Sequence, residues 1–211
     1  MEVREFAGIR PNTNTTIFGV RGCGKTTLVK DLLRSHPEMP VHTLVNPISD
    51  SYYDVVASHV YNEYSPECIE QLTHVFPTPV FCVIDDALIT CAESDVSLEA
   101  DEPYIAPIHA RLHQFMRNSR HYKVSTIITQ QYVNLPEYSI NIDYIFIGKL
   151  PTIRDKCKAF ERCAGMFPTF EAFLDVYNSI VSTPYTFMVI DNTSQSNKIE
   201  DQVFYYKANV S

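Results

Sequence analysis

A glycine-rich segment that ends in lysine and threonine carries the residue types best suited to chemistry. Residues 19–26 read GVRGCGKT and fit the spacing G-x-x-x-x-G-K-[ST]. Glycines allow consecutive backbone N–H groups to face one phosphate, and a following helix adds the positive end of its dipole. Lys25 can then reach the outer phosphates of a nucleotide, and the Thr26 hydroxyl can bind Mg²⁺. The spacing is that of a Walker A motif.

The elements around this loop favour the same interpretation. A β-prone run at 15–18 precedes it, and an amphipathic helix over 25–35 follows. The alternative is a glycine-rich turn between strand and helix that binds no nucleotide. On the first interpretation, the phosphate-binding residues are Gly19, Val20, Arg21, Gly22, Cys23, Gly24, Lys25, Thr26 and Thr27.

A second candidate is the apolar run 80–84, which two aspartates follow. An unbroken apolar run of this length is typical of a central parallel strand, and ligands bind at the carboxyl ends of such strands. Asp85 could hold Mg²⁺ through water, and Asp86 could polarise the attacking water. The alternative is an ordinary strand end with a capping aspartate. The two motifs together indicate Mg²⁺-dependent nucleotide hydrolysis.

A third β-prone run, 124–129, ends in Gln130 and Gln131. Either glutamine could sense the γ-phosphate or position water. Arg117 and Arg120 come just before this strand and could enter a neighbouring subunit's site. They could equally be a solvated helix C-terminus, where cations suit the helix dipole. Residue chemistry alone leaves both readings of the arginines open.

The order of predicted elements must position these groups. Alternating strands and helices predict an α/β fold with a mostly parallel central sheet flanked by helices. Strands are predicted at 15–18, 41–45, 80–84, 124–129, 142–148, 185–190 and 203–207. Helices are predicted at 25–35, around 51–61 and 66–73, and at 105–119 and 153–164.

Composition sets the outer limits. The chain has 211 residues, 45% hydrophobic and 20% charged, with a formal net charge of −8. We expect a single domain over 1–211, with an N-terminal extension at 1–13 and an acidic loop insertion at 91–104. A disordered chain and a uniformly basic nucleic-acid-coating protein are excluded. We expect no membrane span and no secretory signal, and reduced thiols at the cysteines.

Together these motifs resemble the FtsK/HerA superfamily of ring-forming P-loop ATPases, whose fold is RecA-like. More narrowly, they are similar to the genome-packaging ATPases of poxviruses, other nucleocytoplasmic large DNA viruses and virophages. The resemblance covers about residues 15–208. It is carried by GVRGCGKTTL (19–28), VFCVIDDAL (80–88), RNSRHYKVSTIITQQY (117–132) and VFYYKA (203–208).

The resemblance implies roles for the acidic and phosphate-binding residues. Lys25 would be catalytic, and Thr26 and Asp85 would hold Mg²⁺ beside ATP. Asp86 stands where the superfamily usually has glutamate, and its shorter side chain would lie further from the water.

The resemblance also assigns the later polar residues. Gln131 matches the polar residue at the strand end, and Gln130 is the fallback if the register slips by one. Arg120 matches the arginine presented to the next subunit, and Arg117 is the second choice.

Further implications concern partners. The chain would form a homo-oligomeric ring, hexameric or pentameric, and move double-stranded DNA into a capsid built from other proteins. Its place would be the host cytoplasm or virus factory, or the virion. A translocase grips DNA weakly and repeatedly, so a net negative charge is compatible with this role.

Two other functions stay open. A P-loop nucleoside or nucleotide kinase shares the loop and the length, but it needs a lid of several arginines, and 150–165 holds only Arg154 and Arg162. A non-catalytic assembly protein gated by ATP would not need the intact set of Lys25, Thr26 and the paired aspartates.

Overall fold

One mixed sheet organises the chain, as seen in a computed structural model that describes residues 3–45, 52, 54–62, 65–85, 105–133 and 141–210. The strands are β1 Arg4–Glu5, β2 Asn14–Phe18, β3 Val41–Val45, β4 Ala57–Tyr61, β5 Val80–Ile84, β6 Val124–Gln130, β7 Tyr144–Ile147, β8 Thr186–Asp191 and β9 Val203–Lys207. The helices are α1 Lys25–Arg34, α2 Pro66–Glu70, α3 Ile105–Tyr122, α4 Ile153–Cys163 and α5 Phe170–Val181.

The nine strands follow the order β1-β9-β8-β7-β2-β6-β5-β3-β4. Every neighbouring pair is parallel except the two that involve β8. Strand β2 lies between β6 and β7, at the centre of the sheet. The predicted α/β fold with a mostly parallel sheet flanked by helices is confirmed.

Apolar side chains of alternating strand residues separate into two cores, one on each face of the sheet. On one face, Ile17, Val83 and Ile127 pack with Leu28 of α1. On the other, residues such as Phe18, Ile84 and Ile128 pack with side chains of α2, α3, α4 and α5. Burial on both faces explains why β5 and β7 are continuous apolar runs.

A buried asparagine at the start of β2 joins three elements at the amino-terminal edge of the sheet. Asn14 Nδ2 donates to the carbonyl of Met116 at 2.9 Å, while Asn14 Oδ1 accepts from Ser119 at 2.9 Å and Thr126 at 2.7 Å. The Asn14 amide donates to the carboxylate of Asp143 at 2.8 Å. These bonds fix the end of α3 against β2 and β6.

Several elements differ from the sequence prediction. The helix predicted around 51–61 is wrong, because Ala57–Tyr61 is an edge strand that pairs with β3. Here pairing with a neighbouring strand decides the structure, and local propensity does not. The helix predicted at 66–73 is shorter and ends at Glu70. Helix α5 was not predicted, although Thr169 caps it by accepting from the Ala172 amide at 3.2 Å.

The predicted N-terminal extension and the predicted acidic insertion have different outcomes. Strand β1 pairs with β9, and Phe6 and Ile9 are buried, so part of the predicted 1–13 extension belongs to the sheet and core. The predicted acidic insertion at 91–104 lies outside the described residues. In the part of the chain that is described, no helix has both the length and the apolar character needed to cross a membrane.

Candidate functional site

The glycine loop connects the carboxyl end of β2 to α1. Gly22 and Gly24 have φ of +80° and +99°, backbone values that residues other than glycine rarely adopt. Helix α1 begins at Lys25; no described side chain caps its first turn, and that turn holds no acidic residue. Because the first amides of a helix need acceptors, this end of α1 is suited to an anion.

Neighbouring strands hold the loop from both sides. The Gly19 amide donates to the carbonyl of Gln130 at the end of β6, at 3.2 Å, and the Val20 amide donates to Lys149 beyond β7, at 3.0 Å. A Cβ on Gly19 would lie 2.5 Å from the Cys23 sulfur, so glycine is required there. Burial raises the pKa of the Cys23 thiol, which therefore stays protonated near neutral pH.

A buried tyrosine supports the segment after β7. The Tyr177 hydroxyl donates to the carbonyl of Gly148 at 2.9 Å and accepts from the Leu150 amide at 2.7 Å. Burial raises its pKa to about 12, so it remains a donor at physiological pH. Helix α5 is thereby tied to the strand end that contacts the glycine loop.

The lysine predicted to bind phosphate lies inside the loop. Lys25 Nζ donates to the carbonyl of Gly19 at 2.7 Å and to that of Val20 at 3.3 Å. The side chain is half-buried. Its ammonium group is therefore held over the same loop whose amides would surround a phosphate.

Asp85, the first aspartate after β5, lies on the face of the sheet that carries α1. Asp85 is 9% exposed, and its amide donates to Val45 at 2.9 Å, which continues the ladder beyond β5. Thr129 Oγ1 donates to Asp85 Oδ1 at 2.5 Å. By strand alternation both side chains share the face that carries α1. The carboxylate is thus oriented by a hydroxyl from the adjacent strand.

A buried tyrosine accompanies this carboxylate. Tyr52 is 3% exposed and lies beside Thr26 and Asp85. Burial, followed by the negative charge of Asp85, raises the pKa of the Tyr52 hydroxyl. No sequence pattern predicts a role for Tyr52. Thr129 could have been found, because it stands two residues before Gln131 in an alternating strand.

The other predicted polar residues are placed differently. Asp86 lies outside the described residues. Gln130 is the last residue of β6 and is 4% exposed, and its Oε1 has no partner among the described atoms. Pairing with Phe18 puts its side chain on the face opposite α1. Gln131 is the next residue and is half-exposed. The assignment of Gln131 as the polar residue at the strand end, with Gln130 as the fallback, stays a prediction.

The predicted arginines lie at the other edge of the sheet. Arg120 is near the end of α3 and forms an ion pair with Asp143, which precedes β7. Five residues of β2 separate this edge from the loop, a distance of about 16 Å. Arg117 is exposed on α3. The structure therefore brings neither arginine to the loop of its own chain.

The residues at the loop fit a magnesium nucleotide. Mg²⁺ binds through one or two protein oxygens together with phosphate and water, and Thr26 and Asp85 supply oxygens of that kind. The loop amides and Lys25 suit the phosphates. Within the described residues, no group of three or more histidine, cysteine, aspartate and glutamate side chains could hold a metal ion. The oxygens of Thr26 and Asp85 suit a metal that takes its other ligands from phosphate and water.

Fold and loop define the class: the chain has the α/β fold of P-loop ATPases. It superposes on the genome packaging NTPase B204 of Sulfolobus turreted icosahedral virus 2, in complex with AMP, with a TM-score of 0.62 and 15% identity over 96% of this chain and 100% of that one. The pCW3 conjugation coupling protein TcpA gives a TM-score of 0.63 and 13% identity over 93% of this chain and 60% of its own.

Sequence similarity leads to viral proteins. The chain is 28% identical over 205 residues to the uncharacterized protein L437 of Acanthamoeba polyphaga mimivirus, which covers 89% of this chain and 70% of that protein. No family model matches the chain. The predicted resemblance to packaging ATPases of the FtsK/HerA type is therefore matched at the level of fold.

Proposed function

We propose that the protein is a Mg²⁺-dependent ATPase that acts as a ring motor and moves double-stranded DNA into a viral capsid. The observation that carries the proposal is the convergence of Lys25, the uncapped start of α1 and the Asp85–Thr129 pair at one edge of the sheet. The fold shared with a viral packaging NTPase and the similarity to a mimivirus protein support the viral role.

Each residue has a defined task in hydrolysis. Lys25 and the loop amides hold the phosphates and balance the charge that develops on them. Thr26 and Asp85 hold Mg²⁺, which neutralises phosphate charge when it is bound. Thr129 keeps Asp85 in one orientation through its hydroxyl. Asp86 is the residue that we propose as the base for the attacking water, and Gln131 as the group that positions it.

The motor role adds a contribution from a second subunit. Arg120 lies at the edge of the sheet away from its own loop, so a neighbour's site in a closed ring is the one that it would serve. There it would stabilise charge on the phosphate in the transition state. The net charge of −8 is compatible with DNA binding through a few local contacts in a channel.

The proposal is tested by measuring ATP hydrolysis against protein concentration, with and without linear double-stranded DNA. Specific activity should rise steeply with concentration, because assembly supplies Arg120, and DNA should raise it further. Removing Mg²⁺ with a chelator should abolish turnover. Lys25→Ala should also abolish it, because phosphate binding and charge compensation are lost together.

Lys158→Ala is the matched control, since Lys158 is an exposed lysine on α4, which packs on the face of the sheet opposite α1, and it should keep the basal rate. Specific activity that is independent of concentration and of DNA, or phosphate transfer to added nucleosides, would favour the kinase. Nucleotide binding without hydrolysis under every condition would favour an assembly protein gated by ATP.

A further inference from the structure

The two flanks of the glycine loop differ in chemistry. Asp85 and Thr129 lie on the flank formed by β5 and β6, whereas β7 and β8 form the other flank. If Asp85 holds the metal at the outer phosphates, a nucleotide bound across the loop directs its base away from β5. The nucleotide's base would then lie beside β7 and β8.

Tyr185, just before β8, presents a partly exposed aromatic ring on that flank. A Cβ on Gly24 would lie 2.6 Å from Cδ1 and 3.2 Å from Cε1 of Tyr185, so the ring rests directly on the residue that precedes α1. Ile147 pairs with Met188 in antiparallel register, which places the start of β8 at the same edge as the loop. Tyr185 is nevertheless 38% exposed. An aromatic ring beside the phosphate loop thus keeps accessible surface.

The backbone of this tyrosine is fixed in an uncommon conformation. Its φ is +59°, a region that bulky residues rarely occupy without support from their surroundings. Its carbonyl accepts from the Ala208 amide at 2.9 Å, just beyond β9. Asp31 of α1 in turn accepts from the Tyr206 hydroxyl at 2.9 Å and the Asn209 amide at 3.0 Å. The backbone of Tyr185 is therefore tied to the end of β9, which is itself tied to α1.

We infer that Tyr185 is the platform on which the base of the bound nucleoside triphosphate stacks. The inference rests on the proposed nucleotide site. Stacking needs a flat face and a fixed orientation beside the nucleotide, and the partly exposed Tyr185 ring next to the loop provides them. Gly24 is required because any larger residue would displace the ring.

Comparing two ligands distinguishes loss of base stacking from damage to the phosphate loop. The ligands are ATP and inorganic tripolyphosphate, which has phosphates but no base. We compare their affinities for wild-type protein, Tyr185→Leu and Tyr185→Phe by calorimetry. Leucine keeps bulk over Gly24 and phenylalanine keeps the ring. Tyr185→Leu should weaken ATP binding about 10-fold and leave tripolyphosphate binding unchanged, whereas Tyr185→Phe should bind both like wild type. Equal weakening of both ligands, or unchanged ATP binding, would overturn the inference.

A second variant covers the case in which Tyr185→Leu does not fold. The chain has no tryptophan, so Tyr185→Trp introduces a single tryptophan at the platform, whose emission can be excited selectively. ATP should quench its emission and tripolyphosphate should not; identical responses to both would overturn the inference. Lys25→Ala tests the proposed site separately, because it should weaken both ligands. If wild-type protein bound neither ligand, that result would reject the proposed nucleotide site itself, and with it the proposed function.

Discussion

At the scale of single residues, the site depends on how one carboxylate is oriented. Asp85 is almost fully buried, and a free carboxyl group at the end of a strand could rotate away from a metal ion. The hydroxyl of Thr129 removes that freedom by donating to Oδ1 at 2.5 Å. Groups that orient metal ligands in this way commonly change activity or metal affinity strongly when they are removed.

Thr129→Val should therefore lower turnover or apparent Mg²⁺ affinity about 10-fold, because valine keeps the shape and removes the donor. Steady-state rates measured over a Mg²⁺ titration test this. Thr15→Val is the matched control. Thr15 of β2 lies on the same face of the sheet as Thr129, is fully buried, and its hydroxyl has no partner among the described atoms. It should keep wild-type turnover and gain about 1 kcal/mol of stability. Equal kinetic effects of the two variants would contradict the assignment.

The sequence predicted some of these residues and not others, for a physical reason. Lys25 and Asp85 belong to local patterns whose spacing is imposed by the ligand, so a single stretch of sequence is enough to find them. Thr129 and Tyr52 act through contacts with residues far away in the chain. Only strand alternation with Gln131 indicates Thr129, and nothing local distinguishes Tyr52 from other loop residues. Asp86 and Gln131 remain predictions.

At the scale of elements, strands with strong apolar periodicity were predicted almost to the residue, and elements defined by partners were not. Strand β5 and helix α1 follow their local patterns. Strand β4 has mostly exposed side chains, so its sequence has no buried face to reveal it, and its pairing with β3 defines it. Strand β1 is too short for any pattern and exists only because β9 is beside it.

The polar junction at the start of β2 gives a prediction about stability. Asn14 makes four side-chain hydrogen bonds, all with protein groups. Asn14→Ala should lower the free energy of unfolding by about 4 kcal/mol, because each lost bond costs about 1 kcal/mol and leaves buried groups unpaired. Urea unfolding measures this. Asn178→Ala, at an exposed position on α5, should change stability by less than about 0.5 kcal/mol; a similar loss in both would contradict the role of the junction.

A histidine cluster beside the edge strand gives a pH dependence. The ring of His42 on β3 lies 4.9 Å from that of His59 and 6.3 Å from that of His74. Burial, then the neighbouring histidines, lowers the pKa of His42. The unfolded chain therefore binds its proton first, so stability should fall as the pH drops below about 6.5.

Urea unfolding at a series of pH values tests this, and His42→Gln should flatten the dependence below about pH 6.5. The ion pair of Asp54 with Lys30 does not contribute to this pH dependence. Lys30 lowers the pKa of Asp54, so the stability that this ion pair contributes is lost only below about pH 4. An unchanged slope in His42→Gln would show that other groups cause it.

At the scale of the whole molecule, the two edges of the sheet carry different parts of the proposed machine. The phosphate loop and Asp85 lie at the carboxyl edge of the parallel strands, and Arg120 lies at the amino edge with Asp143. The Arg120 side chain is 60% exposed although its partner is buried. A chain with this separation can complete an active site with Arg120 only through a neighbour, in a head-to-tail arrangement that closes into a ring.

Mixing two inactive variants tests this arrangement. Lys25→Ala lacks its own phosphate contact but still presents Arg120, and Arg120→Ala keeps an intact loop but presents no arginine. Each should be nearly inactive alone, with a loss of about 10³-fold or more in turnover. In a random equal mixture, about a quarter of the interfaces join an intact loop to an intact arginine, so about a quarter of wild-type activity should return whatever the ring size.

Arg4→Ala is the control for Arg120→Ala, because Arg4 is also 60% exposed and forms an ion pair, with Asp201, at the far end of the sheet. It should be active alone, since a surface ion pair contributes little to stability. Full activity of Arg120→Ala alone would show that the arginine only binds Asp143. An inactive mixture, with both variants shown by light scattering to enter mixed rings, would show that Arg120 acts within its own subunit. Recovery to the expected fraction requires an active site shared between neighbours, because neither variant contains a complete one.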